Sequence, residues 1–205
     1  MNALRVALLA ATIFALIIPV SASAADPRLT VDPAMVLTAA YCLYNRRTRA
    51  LLQPVSLHVL LGYERGAYRW HRLVTRVTVG PGFDGGKAQP QGADWARLEL
   101  AEPIPAAVSP LPVGKEALAS GQPLALAGYN QDRAQLLVAD TDCHAIGTVR
   151  SPNGGAFFTH DCAATRGTSG APLLARRGDV WEVVGINIAA GRGANLTLKA
   201  AVTGG

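Results

Sequence analysis

The sequence predicts an all-β chain built from short strands in two halves, and three observations carry that expectation. Runs rich in Val, Leu, Ile and aromatic residues follow one another at short intervals, each bounded by Gly, Pro or polar turn residues, the pattern of a barrel or sandwich. The 3.6-residue apolar spacing of an amphipathic helix is nearly absent, and the one convincing helical turn is the patch Thr38–Tyr44. The stretch Ala101–Gly121 carries prolines at 103, 105, 110 and 112, with Pro123 just beyond. Such density makes a chain extended and stiff, suited to connecting two half-structures. The alternative is one more surface loop within a single barrel.

In chain order, Met1–Ala24 reads as a secretory signal peptide: Arg5 near the start, an apolar run from Val6 to Val20, and Ala22-Ser23-Ala24 as the cleavage site. The run is too short for a membrane span, which needs about 20 apolar residues, so no membrane association is expected after cleavage. Removing 24 of the 205 residues leaves 181, enough for one compact domain or two small fused barrels. The expected boundaries are 25–102 for the first barrel, 103–122 for the connector and 123–205 for the second barrel. Candidate strands are Ser56–Leu61, Arg69–Val79, Trp95–Leu100, Pro123–Ala127, Gln135–Asp140, His144–Arg150, Ala156–His160, Pro172–Ala175, Val180–Ile188 and Asn195–Leu198. There is no internal repeat.

Composition narrows the function classes. Only Arg5 of the 19 Lys and Arg residues lies in the leader, leaving 18 basic against 14 acidic side chains. Arg46, Arg47 and Arg49 cluster without the aromatic interleaving of a nucleic-acid groove, so no nucleic-acid partner is expected. Export implies a secreted or periplasmic location, where cysteines pair. Three cysteines leave one over. Cys143 and Cys162 bracket the turn-rich Ser151-Pro152-Asn153-Gly154-Gly155, which suits a bridged hairpin and leaves Cys42 free. The cysteines and four histidines lack the paired short spacings of a zinc site, and no Gly-rich phosphate loop follows a strand. Neither metal nor cofactor is expected.

The chemistry concentrates in Thr165-Arg166-Gly167-Thr168-Ser169-Gly170-Ala171-Pro172-Leu173-Leu174. A serine in Gly-x-Ser-Gly-x-Pro, running into an apolar strand, is held as a nucleophile at a tight turn. The N–H groups of Gly167 and Ser169 are then placed to hold the charge developing on a carbonyl oxygen, and glycine at 167 permits backbone that a side chain would obstruct. Asp94 heads the alternating strand Trp95–Leu100, where an acid can orient a base and stabilise its charged form.

These segments resemble secreted bacterial trypsin-like serine peptidases of the chymotrypsin fold, near the glutamyl-endopeptidase branch. The resemblance runs from Val36 to about Leu198 through Val36–Cys42, Asp94–Leu100, Gly128-Tyr129, His160-Asp161-Cys162, Gly167–Leu174 and Val183–Asn187. It implies two six-stranded antiparallel barrels and a catalytic triad in the order base, acid, nucleophile at 41, 94 and 169. The family writes its base segment Val-Leu-Thr-Ala-Ala-His-Cys; here Tyr41 stands where the histidine belongs. A phenol, with its ordinary pKa near 10, is ionised about one part in a thousand at pH 7 and cannot take the serine proton. The resemblance places Ala163 and Asn187 at the specificity pocket. Alanine offers no carboxylate for Lys or Arg substrates, and Asn187 stands where glutamate-specific relatives tend to carry histidine. Only Ala25–Met35 precede the base segment, too few for two strands and a turn, so the first barrel is expected to be incomplete and the usual partner of Cys42 lost.

Three readings follow: a peptidase homologue inactive or severely impaired for want of its base, with peptides or proteins as ligands; an active endopeptidase using another histidine, of which His160 is the nearest in sequence to Ser169, ahead of His58, His71 and His144; and a secreted β-barrel binding module with an incidental Gly-Thr-Ser-Gly.

Overall fold

A computed structural model describes residues 11–15, 34–87, 92–114, 117–150, 156–190 and 195–199. Thirteen strands run through them: β1 (Ala11–Ala15), β2 (Met35–Thr38), β3 (Tyr44–Asn45), β4 (Ala50–Leu51), β5 (Leu57–Leu61), β6 (Trp70–Val79), β7 (Ala96–Leu100), β8 (Pro123–Gly128), β9 (Val138–Arg150), β10 (Ala156–His160), β11 (Pro172–Arg177), β12 (Val180–Ala190) and β13 (Asn195–Lys199). Helical structure among the described residues is confined to short 3₁₀ turns, of which Ala40–Leu43 falls within the patch expected to be helical. None is long and apolar enough to cross a membrane.

The strands form two curled sheets. In the second half, β10-β13-β12-β11-β8-β9 closes into a six-stranded barrel; in the first, β1-β5-β6-β7-β2 is a five-stranded sheet that does not close among the described residues. The expectation of two barrels with the first incomplete is met in this form. The physical basis in the first half is plain alternation: β5 and β7 bury every second residue, so Leu57, Val59, Leu61, Ala96, Leu98 and Leu100 point to one core.

Four strands were absent from the sequence expectations. β2 is a four-residue apolar run without alternation, and β3 and β4 are two residues each, too short to show a period. β1 lies within the expected leader, of which the structure describes only Ala11–Ala15, and runs parallel to β5 from Ala11 opposite Leu57 to Ala15 opposite Leu61. The opening hairpin expected to be lost would precede β2, in residues outside those described.

One expectation is corrected. Gln135–Asp140 and His144–Arg150, read as two strands, are replaced by the single strand β9, which takes in Val138–Asp140 and all of His144–Arg150, while Gln135–Leu137 lie outside it. The polar Asp140-Thr141-Asp142 between them looks like a turn in sequence, but it is accommodated as an irregularity in the pairing with β8 between Leu124 and Leu126. There Asp140 accepts hydrogen bonds from Asp142 N (3.1 Å) and Ala163 N (2.7 Å) through its two carboxylate oxygens.

Cys143 and Cys162 form a disulfide, with Cα atoms 4.7 Å apart, and Cys42 is free. A bridge closing a loop of this length contributes about 3 kcal/mol when unstrained. Mass mapping of non-reduced peptides is expected to find Cys143 linked to Cys162 and Cys42 alkylable, and a Cys42 link to either would contradict the assignment. Cys143, Asp161 and Cys162 also bring three potential ligand atoms together, but both sulfurs are committed to the bridge.

The two halves meet across a third apolar cluster, in which Ala39 and Trp95 from the first pack on Phe157, Ile186 and Ile188 from the second. Within the connector, Val183 N donates to Pro112 O at 2.8 Å and Gly114 N to Val183 O at 2.9 Å, pinning its later part to β12. Tyr129 Oη donates to Tyr63 O at 2.7 Å, a second tie between halves.

Candidate active site at the junction of the two halves

The site residues lie at this junction because the chain leaves β2 and enters β7 beside the apolar cluster that joins the halves. Ala39 and Ala40 are wholly buried, while the next residue, Tyr41, is turned outward and 41% exposed. Asp94, one residue before the buried Trp95, is only 7% exposed. Its Oδ1 accepts the backbone N–H of Tyr41 at 2.8 Å, and it also receives a backbone hydrogen bond from Ala40. Burial pushes the Asp94 carboxyl up to about 6 against the pull of these two donors. The sequence-predicted acid and base positions are thus neighbours in space, but the bond joining them is made by the backbone of residue 41.

The serine turn is fixed from three sides. Gly167 and Gly170 adopt φ values of 96° and 85°, left-handed conformations that favour glycine. A Cβ at Gly167 would come within 2.7 Å of Gln131 N and 2.8 Å of Tyr129 O; one at Gly170 would meet Thr38 Oγ1 at 2.4 Å. The serine turn is therefore packed directly on the end of β2, three residues before Tyr41. Gly170 N donates to Asn187 O at 2.7 Å and Asn187 N to Ala171 O at 2.9 Å, tying the turn to β12. Cys42 Sγ lies 3.6 Å from Ser169 O. Burial, and secondarily the nearby Asp94, push the Cys42 thiol up to about 12, so the neighbour of the serine is an unreactive thiol at neutral pH.

Arg166 O accepts Gln131 N at 2.6 Å. Because a trans peptide points its C=O and N–H in opposite directions, anchoring that carbonyl on Gln131 turns Gly167 N–H away from it. Neither Gly167 N nor Ser169 N is given to a backbone acceptor among the described residues. Thr168, wholly buried, braces the turn: its hydroxyl accepts Thr165 N at 2.9 Å and donates to Thr165 O at 2.6 Å. Sequence reading missed Thr38 and Thr168 as positioning residues. The Thr165–Thr168 spacing is the signal that could have pointed to a side-chain-closed turn.

Ser169, Gly167, Tyr41, Cys42 and Asn187 line one open cleft of about 910 Å³ between the halves. Of the two residues placed at the specificity pocket, Asn187 lines this cleft; Ala163 is exposed, donates its N–H to Asp140, and leaves the lining to Ala164 and Thr165.

No histidine lines the cleft. His58 and His71 pair with each other, Nδ1 to Nε2 at 2.7 Å, on the outer face of β5 and β6. His144 is exposed on β9. His160 is completely buried, its Nε2 3.3 Å from Asn187 Oδ1. Since Asn187 Nδ2 donates to Thr168 O at 3.3 Å, Asn187 Oδ1 is the acceptor and His160 carries its proton on Nε2. Burial holds its pKa below the usual imidazole value, so this ring braces Asn187 as a neutral group.

The serine turn from one half and Tyr41 from the other line a cleft between two β-sheets, with Asp94 buried behind the Tyr41 backbone. No curated protein matches the chain. The model of the trypsin-like peptidase domain matches residues 25–186, spanning Asp94 and the serine turn and ending within β12 just before Asn187, and the chain belongs to that family.

Proposed function

We propose that this trypsin-like peptidase homologue is exported, binds extended peptide segments in the cleft beside Ser169, and hydrolyses them negligibly because it lacks a general base. One observation carries the reading: Asp94 Oδ1 receives the backbone N–H of Tyr41, and none of the four imidazoles reaches the cleft lined by Ser169. A protonated phenol at position 41 can donate a hydrogen bond but cannot take the serine proton at neutral pH. Gly167 N and Ser169 N serve in this reading as oxyanion donors. What remains is binding and oxyanion stabilisation, which in triads stripped of their catalytic side chains leave only a small remnant of activity. Export is supported by the leader-like pattern of residues 1–24 and by the Cys143–Cys162 bridge, which suits an oxidising compartment. Asn187 brings no fixed charge to the cleft and Ala163 lies outside its lining, so this reading assigns neither Lys/Arg nor Glu selection to these two positions, despite motifs near the glutamyl-endopeptidase branch.

A fluorophosphonate probe tests this, because such reagents label only serines activated by a base. Wild-type protein is expected to remain unlabelled. Stoichiometric labelling mapped to Ser169 would show an active peptidase with an unorthodox base.

A further inference from the structure

The cleft is electrically one-sided. Its two charged lining residues are Arg46 and Arg166, one from each half of the molecule, and no Asp or Glu lines it among the described residues. Neither guanidinium has an ion-pair partner among the described residues. Both rise from pinned backbone. Arg46 opens the β3–β4 loop, which is closed by Asn45 Oδ1 accepting Arg47 N at 2.9 Å and Thr48 N at 3.3 Å. Arg166 has its carbonyl held by Gln131 N at 2.6 Å. Both arginines are exposed and line the same cleft, and the planar fork of arginine suits the planar carboxylate. The carboxylates close by lie outside the lining: Asp94 is buried under backbone donors, and the exposed Asp132 is 3.4 Å from the Thr165 hydroxyl. The remaining lining is uncharged, and its small residues Ala127, Gly128, Ala164 and Ala189 leave room for a backbone.

We propose that the cleft holds an acidic peptide, with Glu or Asp side chains engaged by Arg46 on one wall and Arg166 on the other. This rests on the peptide-binding reading above and adds the chemistry of the ligand. Carboxylate recognition at these two arginines is separate from the uncharged pocket at Asn187, so it selects residues flanking the one that enters that pocket.

Fluorescence anisotropy with a labelled octapeptide of alternating Ala and Glu, against its Gln counterpart, provides the test. The Glu peptide is expected to bind about tenfold more tightly in low salt, and Arg46→Gln and Arg166→Gln are each expected to weaken it by about threefold. The preference should shrink as salt rises toward about 0.5 M. Arg176→Gln, remote on β11 and paired with Asp179, is expected to change nothing. Equal binding of the Glu and Gln peptides would overturn the acidic preference while leaving a peptide cleft standing. Binding of neither would remove the peptide-cleft reading and this inference with it. A preference that survives both arginine substitutions places the acidic site elsewhere and overturns the proposal. A single-stranded oligonucleotide that binds more tightly than the Glu peptide and is lost with the same substitutions would overturn the ligand class.

Discussion

Tyr41→His is expected to raise ester hydrolysis by at least about a thousandfold over the wild-type protein, as part of the roughly 10⁶ in turnover that loss of the base costs complete triads. The reasons are local. Position 41 already shares a cleft with Ser169, its backbone is anchored on Asp94 at 2.8 Å, and Thr38, at the end of β2, packs against Gly170 of the serine turn. An imidazole there starts from an acid and a nucleophile held in place by the existing fold. Initial rates on an activated ester, with Tyr41→His/Ser169→Ala as the control, read the gain. A gain that persists in that control would not belong to the serine, and no gain would mean that the open first sheet fails to hold the acid and base in register.

Asp94→Asn is expected to stabilise the folded protein at neutral pH. The wild-type carboxyl has a folded pKa of about 6 against an ordinary 3.8, so between these values the unfolded chain is ionised while the folded one retains its proton. Stability from this group is therefore full below about pH 4 and is lost as pH rises through 6, a cost of about 3 kcal/mol at pH 7. Asparagine keeps the oxygen that accepts Tyr41 N–H and never ionises. Denaturant unfolding should show the variant and wild type equal near pH 4 and the variant more stable by an amount of this order at pH 7. A variant less stable at pH 7 would mean that the carboxylate charge is favourably held. In the Tyr41→His background the same change should instead cut activity, since a triad acid replaced by its amide costs about 10⁴ in turnover. An acid that costs stability and is useful only beside a histidine is consistent with descent from an active site.

The reach of sequence reasoning followed physical scale. The serine turn was legible because its glycines answer to backbone geometry, positive φ and close approach of Tyr129, Gln131 and Thr38. The alternating strands β5 and β7 were legible because one face is buried. The Cys143–Cys162 pair could be read from the turn-rich chain between its members. What escaped was set by tertiary context. Asp140-Thr141-Asp142 reads as a turn until β8 and the Ala163 N–H supply its partners. The strands β3 and β4 are too short to carry a period, yet their loop brings Arg46 to the cleft. His160 was nearest the serine in sequence, but the β10 strand turns it inward against Asn187, and a nine-residue separation says nothing about that direction.

Turnover at Ser169 decides whether the site is silent. Steady-state hydrolysis of an activated ester by the wild-type protein, measured beside Ser169→Ala, is expected to give two indistinguishable rates barely above background. Wild-type turnover at the roughly 1–10³ s⁻¹ of ordinary enzymes, abolished in Ser169→Ala, would show that a base is present and that Tyr41 does not silence the site.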